Sequence, residues 1–454
     1  MLLQHPDCPD LRALGPTLGD AVLRAEATAV EVENAAVRDE WTRLNEAEEA
    51  QEEGRGITRR TVLAGAGLTA TTLLTSQFLN VRASFGATGT GTLIHVFLFG
   101  GLDGLSLVAP ANDPVLTKVR PSFALPAGSS IPLARGFALN RAFEPLQKYL
   151  DAGELGFVPG VSDPRLSRSH FQCQDACELG GLPSETQGRG WLDVLTEKLG
   201  TGTAFRSIGV GSTLRRSLVG TQGALALRNL GALAINGDEK FRQPTADAIK
   251  TMFTGLDHPA AESVEAAVGA LATASKISSV SYAPANGAQY PAGLGDGFKT
   301  LAQLIKGGAN VRTAAVSMGG FDTHSNQGTN GGHLFNQFTQ IAKALRAFFD
   351  DLGDARKDVT VVLSSEFGRR VAQNGGGTDH GHGNVVTILS GKKLASSLIG
   401  EWGGLGTLDN GDVPEFNNMF DVFGTVAQAR FGLSAADVSA VFPKRKFAPL
   451  KMFA

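Results

Sequence analysis

The sequence is short of three things: cysteine, charge of one sign, and long apolar runs. Its 454 residues hold only three cysteines. Cys8 lies in the N-terminal segment. Cys173 and Cys177, four apart on an expected helix, read as buried free thiols rather than as a bridge or a metal pair. The formal net charge is -3, so nothing electrostatic points to nucleic acid as a partner. The weakly apolar stretch "TVLAGAGLTATTLLTSQFL" is broken by Gly and Thr and does not read as a stable membrane span. No internal repeat is visible.

What is present begins with an N-terminal segment unlike the rest. Residues 21–53 are acidic and Ala-rich, an exposed helix or a disordered arm. Arg59 and Arg60 then precede the weakly apolar stretch and the small-residue segment "NVRASFGA". This is the pattern of a twin-arginine export signal, with cleavage expected after Ala83. A buried Ala/Gly helix of the mature domain is the alternative. The expected organisation is an arm and signal over 1–86 and a domain over 87–454. A periplasmic or extracellular protein follows, exported already folded by the twin-arginine machinery, with any metal loaded beforehand.

The domain is long enough for a large core. The 57 glycines of the full chain imply many tight turns. Residues 92–99 form a nearly continuous apolar run, read as a strand buried on both faces. Residues 154–161, 312–320, 359–365 and 384–391 read the same way. Between two of these strands, Leu334, Phe338, Ile341, Leu345, Phe348 and Leu352 form one helical stripe. Buried strands alternating with amphipathic helices predict an α/β fold with a mostly parallel sheet between helical layers. The Ala/Gly/Ser-rich stretch 200–300 has helical patterns near 243–256 and 260–276. It reads as helices with a cap or insertion.

In such sheets ligands bind beyond the carboxyl ends of the strands. Asp103 follows the first strand, and "SDPRLSRSHF" follows the second. Asp322 and His324 follow the third, and Glu366 and Arg369 the fourth. His380 and His382 precede the fifth. Carboxylates and imidazoles converging on one rim suit a divalent metal: zinc first, with manganese, iron, calcium or magnesium as alternatives. Each residue also has a plainer reading. Asp103 can be a turn residue, and Asp322 and His324 can cap a helix. Ser169 and Gln172 match a capping box. Glu366 is harder to explain away, since a buried carboxylate needs a partner. His95, inside a strand, reads as a core histidine. Ser169 at a helix start is the candidate nucleophile, with Ser167 as the alternative. Arg168, His170 and Arg369 are candidate substrate contacts, and Arg165 is a further one.

The ordered segments "FLFGGLDGLSLVAP", "RLSRSHF", "GFDTHSNQ", "SSEFGR" and "DHGHGN" resemble the DUF1501 family. These are exported bacterial proteins grouped with the alkaline phosphatase and sulfatase superfamily. The resemblance runs from Leu93 to the end, and "SEFGR" and "GFDTH" are its most specific parts. It implies a three-layer α/β/α sandwich of the alkaline phosphatase type, with one or two metals and a serine, threonine or modified cysteine nucleophile. By position it implies metal ligation by Asp103, Asp322, His324, Glu366 and one of His380 and His382, with Ser169 as nucleophile. Three departures mark this chain. Phe367 follows Glu366 where an Asp-His pair is usual, Asp322 and His324 are separated by one residue instead of three, and Gln172 stands where Asp is common. No Cys-x-Pro-x-Arg sulfatase signature is present. The expected function is metal-dependent hydrolysis of a phosphate or sulfate ester, small or polymer-borne. The alternative is a non-catalytic envelope or binding protein on the same fold.

Overall fold

A computed structural model describes residues 90–125, 127–233, 239–253, 259–278 and 281–454. The acidic arm, the twin-arginine segment and the expected boundary at 86/87 lie outside the described residues. Among the described residues, no helix is long and apolar enough to cross a membrane.

Eleven strands are described. β1 (Thr92–Leu98), β5 (Leu155–Ser162), β6 (Ser207–Val210), β7 (Leu225–Leu227), β8 (Thr313–Met318), β9 (Val359–Ser364), β10 (Asn384–Ser390) and β11 (Asn417–Asn418) form one sheet. Its order is β11-β5-β10-β9-β1-β8-β6-β7. β2 (Val108–Pro110), β3 (Ile131–Pro132) and β4 (Phe137–Leu139) form a small antiparallel sheet of their own. All five long strands expected from the sequence are present. Every residue of β1 is buried, as an apolar run covered on both faces requires.

The two faces of β1 open onto two cores. Ile94, Val96 and Leu98 pack with α4 (Pro259–Ser278), α5 (Leu294–Lys306) and α6 (His333–Leu352). Leu93 and Phe97 pack with α1 (His170–Leu179), α2 (Trp191–Lys198), α7 (Met419–Phe431) and α8 (Ala435–Val441). The result is a three-layer α/β/α sandwich. The predicted stripe on α6 is buried at all six positions. Truncating one of those leucines to alanine costs about 2–5 kcal/mol by the loss of packing.

The 200–300 stretch does not stand apart as a cap. Its strands β6 and β7 extend the main sheet, and Ala266, Ala270 and Ala274 of α4 belong to the core. Helix α3 (Glu239–Phe253) packs on α4. β6 and β7 were not foreseen, because runs of three or four residues carry too little pattern.

One feature of the topology creates the site. β10 runs antiparallel to both its neighbours, β5 and β9, whereas the other pairings in the sheet are parallel. Residues preceding β10 therefore lie on the same edge as residues following β1, β5, β8 and β9.

Candidate metal centre

His170 is the first residue of α1, directly after the loop that leaves β5. Its Nδ1 donates to Glu366 Oε1 at 2.7 Å. Glu366 follows β9 and is fully buried. The same oxygen accepts Gly100 N and Gln174 Nε2, both at 2.9 Å, and Oε2 accepts the Ser365 hydroxyl at 2.8 Å. Burial pushes the Glu366 carboxyl up, but hydrogen bonding and charge from His170 more than reverse this and hold it low.

His380 lies in the loop before β10 and donates Nδ1–H to the Arg168 carbonyl at 3.0 Å. His324, beyond β8, donates Nδ1–H to Asp379 Oδ1 at 3.0 Å. Asn374 Nδ2 steadies that carboxylate oxygen at 2.8 Å. A carbonyl or carboxylate oxygen can only accept, so each Nδ1 must carry its hydrogen. In the neutral imidazoles, every Nε2 then presents a lone pair.

Those lone pairs converge. Nε2 of His380 lies 3.1 Å from Nε2 of His170 and 3.0 Å from Nε2 of His324. Asp322 Oδ1 is 3.3 Å from His380 Nε2 and 3.1 Å from His324 Nε2, and its Oδ2 is 3.7 Å from His170 Nε2. Two triangles of donors thus share the Asp322–His380 edge. The ligand atoms of His170, Asp322 and His380 all lie within 4.8 Å of one another. Tetrahedral zinc ligands at ordinary bond lengths stand about 3.3 Å apart, which these edges bracket. A cation at the centre relieves the lone-pair repulsion of all the imidazoles at once. A proton relieves it for one pair, because His380 Nε2 has a single lone pair to offer two neighbours. When protons take the cation's place, burial raises the Asp322 carboxyl, but hydrogen bonds from the then protonated Nε2 atoms of His170, His324 and His380 and the charge of Arg369 hold it far below the usual range. Burial lowers His170, whereas Asp322 and Glu366 together raise it to about 9.

The backbone permits the convergence at one glycine in particular. Gly100 has φ +119°, and a Cβ there would lie 2.3 Å from Asp322 N. Phe367 fills the place where the resemblance leads one to expect an imidazole. Its ring packs 4.8 Å from those of both His170 and His380, as an apolar backing for the two imidazoles.

Several sequence-based assignments change. His170, expected at the substrate, is part of the donor cluster. Glu366 does not join the donors and reaches them only by orienting His170. Asp103 is fully buried, and both its oxygens face Arg120 Nη1 at 3.0 Å. Ser106 Oγ and Gln327 Nε2 donate to its Oδ2, each at 2.6 Å, leaving the carboxylate no role as a ligand. His382 turns away to Asp409 Oδ2 at 3.3 Å. Arg369 is buried with its donors on the carbonyls of Gly100, Gly101, Phe321 and Thr378 and on Asp322 Oδ1 at 2.7 Å, so it braces Asp322 and cannot reach a substrate. Arg168 is paired with the buried Asp412. Arg165 is spent on Asp163 and Glu185. Asp379 had no assigned role, although a carboxylate beside a ligating histidine is the usual means of orienting imidazoles.

Ser169 is the N-cap of α1, but its side chain makes no capping bond. Gln172, expected to complete a capping box, instead accepts from Ser167 Oγ at 2.9 Å. Both neighbours of Ser169 are tied into the cluster, Arg168 through its carbonyl and His170 through its ring. Cys173 and Cys177 are buried free thiols, and burial pushes both thiols up. His95 is a core histidine bonded to Ser364 Oγ at 2.8 Å.

Residues 161–428, more than half of the chain, match the family described as "Protein of unknown function (DUF1501)". The chain belongs to the DUF1501 family. No curated protein matches it. Among solved structures, this DUF1501 protein is similar to the lipoteichoic acid synthase LtaP from Listeria monocytogenes at 11% identity, covering 83% of this chain and 86% of that one, with a TM-score of 0.34. A sulfatase from Pseudoalteromonas sp. is similar at 10% identity, covering 80% and 72%, with a TM-score of 0.33. Alkaline phosphatase from the Antarctic bacterium TAB5 follows at 10% identity, covering 66% and 90%, with a TM-score of 0.23. At such identities and scores, the chemistry of this DUF1501 protein has to be read from its own residues.

Proposed function

We propose that this DUF1501 protein is a metal-dependent hydrolase of phosphate or sulfate esters, with the metal held by His170, Asp322 and His380 and approached by His324. One observation carries this reading: imidazole Nε2 atoms, their Nδ1 hydrogens engaged elsewhere, converge with one carboxylate at 3.0–3.7 Å. Three imidazoles and a carboxylate suit zinc, then iron or manganese. They suit calcium and magnesium less, since those ions favour oxygen donors throughout.

A bound divalent ion supplies Lewis-acid polarisation of an ester oxygen. The chain's own residues do the rest. Glu366, Asp379 and the Arg168 carbonyl fix the three rings, and Arg369 fixes Asp322. Ser169 supplies the nucleophile from the helix start between two anchored residues. Its oxygen bonds to phosphorus or sulfur as the bond to the alcohol oxygen breaks, and the seryl proton leaves to solvent or to the departing alcohol. Water then cleaves the seryl ester, releasing phosphate or sulfate and restoring the hydroxyl. Backbone amides at the start of α1 face the developing negative charge. The substrate class extends to anionic esters carried on a polymer. Export by the twin-arginine route, with the metal acquired before export, belongs to the same proposal.

One observation favours the second reading, a non-catalytic envelope protein. Arg165, Arg168 and Arg369, the rim guanidiniums expected to neutralise an anionic ester, are all engaged with carboxylates of the chain. Elemental analysis of the natively expressed protein, with a phosphate- and sulfate-ester screen of parent and Ser169→Ala, separates the two. Stoichiometric metal with serine-dependent turnover supports the hydrolase. Stoichiometric metal without turnover supports the second reading, and absence of metal from the folded parent removes the hydrolase mechanism.

A further inference from the structure

The ligand-bearing loops are joined by a side chain that no motif singles out. Gln327 is fully buried beneath the cluster. Its Nε2 donates to Asp103 Oδ2 at 2.6 Å and to Ser106 Oγ at 3.1 Å. A carboxylate facing the Arg120 guanidinium offers only acceptors, so the amide has one permitted orientation. Its Oε1 therefore points the other way, where it accepts two hydroxyls: Thr323 Oγ1 at 3.0 Å and Thr378 Oγ1 at 2.8 Å. Thr323 lies between Asp322 and His324, and Thr378 directly precedes Asp379 and His380. Both threonines are buried. The backbones of the two loops meet at the same place, with Thr378 N donating to Thr323 O at 3.1 Å and Gln327 N to Gly376 O at 3.0 Å.

We propose that Gln327 is a positioning residue: its side-chain amide sets the spacing between the Asp322/His324 loop and the Asp379/His380 loop, with the Asp103–Arg120 pair as its fixed anchor. This rests on the metal reading of the cluster. The anchor does not yield, because Arg120 is fully buried and its remaining donors are taken by the carbonyls of Val371 at 2.8 Å and Arg370 at 2.7 Å. Arg370 and Val371 lie between β9 and His380, so the anchor is itself part of the rim. Displacement of a donor by about 0.5 Å is enough to spoil a metal site. Arg369 also spans the two loops, through Asp322 Oδ1 and the Thr378 carbonyl, but among the described residues Gln327 is the buried side chain that bonds to both threonine hydroxyls. Asp103 thereby acquires a role: it orients the amide that orients the donors.

The test measures zinc affinity by competition with a chromophoric chelator, and the absorption spectrum of the cobalt-substituted protein. The variants are Gln327→Met, Thr323→Val, Thr378→Val and the hydroxyl-retaining Thr378→Ser. Loss of an outer partner of this kind weakens metal binding by about 10- to 100-fold. Gln327→Met should fall in that range, and each valine variant near its lower end with an altered cobalt spectrum. Thr378→Ser should keep the parent's affinity and spectrum. If Gln327→Met does not fold, the valine variants decide. Folded valine variants with the parent's affinity and cobalt spectrum would overturn the proposal, whatever happens to their unfolding temperature. A parent that takes up neither zinc nor cobalt fails at the earlier step, the metal reading itself.

Discussion

Two acidic clusters flank α6, whose 20 residues span about 30 Å, and they are built in opposite ways. At the C-terminal end, Asp351 accepts from Lys306 Nζ at 2.7 Å, Tyr282 OH at 2.6 Å, Tyr290 OH at 2.7 Å and Ala285 N at 2.7 Å. Its neighbour Asp350 is met by Lys148, Tyr149 and Arg346. All three tyrosines of the chain are used there. Burial and bonding to Asp351 push the hydroxyls of Tyr282 and Tyr290 well up, so they remain donors. At the other end, His333 Nε2 secures Gly320 O at 2.7 Å, just ahead of Asp322. There Asp322 keeps one guanidinium partner, Arg369, and its other neighbours are imidazoles whose Nε2 atoms are lone pairs in the neutral rings. The first cluster is closed by donors from its own chain. The second gathers acceptors around one carboxylate. Burial of a carboxylate does not separate structure from function, but the sign of what faces it does.

The largest expected effect tests whether the open cluster does chemistry. Ser169→Ala should lower ester hydrolysis by about three orders of magnitude or more while metal content stays at the parent's level. An equal rate in the variant would break the nucleophile assignment. Next comes the contrast in metal dependence. Zinc at a hundred times its Kd should stabilise the parent by about 2.7 kcal/mol in thermal or denaturant unfolding. His380→Ala should lose that stabilisation and the stoichiometric metal, and Asp351→Asn should keep both.

Asp351→Asn should instead lower the stability of metal-free and metal-treated protein alike, by about 2–4 kcal/mol, as it weakens four converging bonds. Its pH signature follows from the carboxyl. Burial raises it, but Lys306 and Tyr282 more than reverse this, so the folded value is lowered. The contribution is complete above the unfolded-state value near pH 4 and fades as acid takes the pH through the lower folded value. Urea unfolding between about pH 2 and pH 5 should therefore be less steep in pH for the variant than for the parent. The smallest effect is at His382. Because it faces Asp409, His382→Ala should change neither metal content nor affinity measurably, and loss of metal in that variant would put it back among the ligands.

Much of the architecture was legible in the sequence because long buried strands and a 20-residue amphipathic helix are periodic over many residues. β1, β5, β8, β9, β10 and α6 all appear where the pattern placed them. The two- to four-residue strands were not legible, since pairing with a neighbour defines them and their own residues do not. The rim was legible as a list: Asp322, His324 and His380 meet there as expected. The roles within that list were not. Asp103 and Glu366 have the same sequence signature as Asp322, a carboxylate just past a buried strand, yet Arg120 and Gln327 intercept the first and His170 takes the second.

The sequence by itself determined the sheet, the helical layers and the edge at which polar residues collect, because hydrophobic periodicity is local and each strand carries its own share. Tertiary structure alone decided which carboxylates face imidazoles and which face guanidinium or hydroxyl. The Glu366–His170 and Gln327–Asp103 bonds join residues 196 and 224 positions apart. A side chain's chemistry is set by the groups packed around it, and at those separations the fold supplies them.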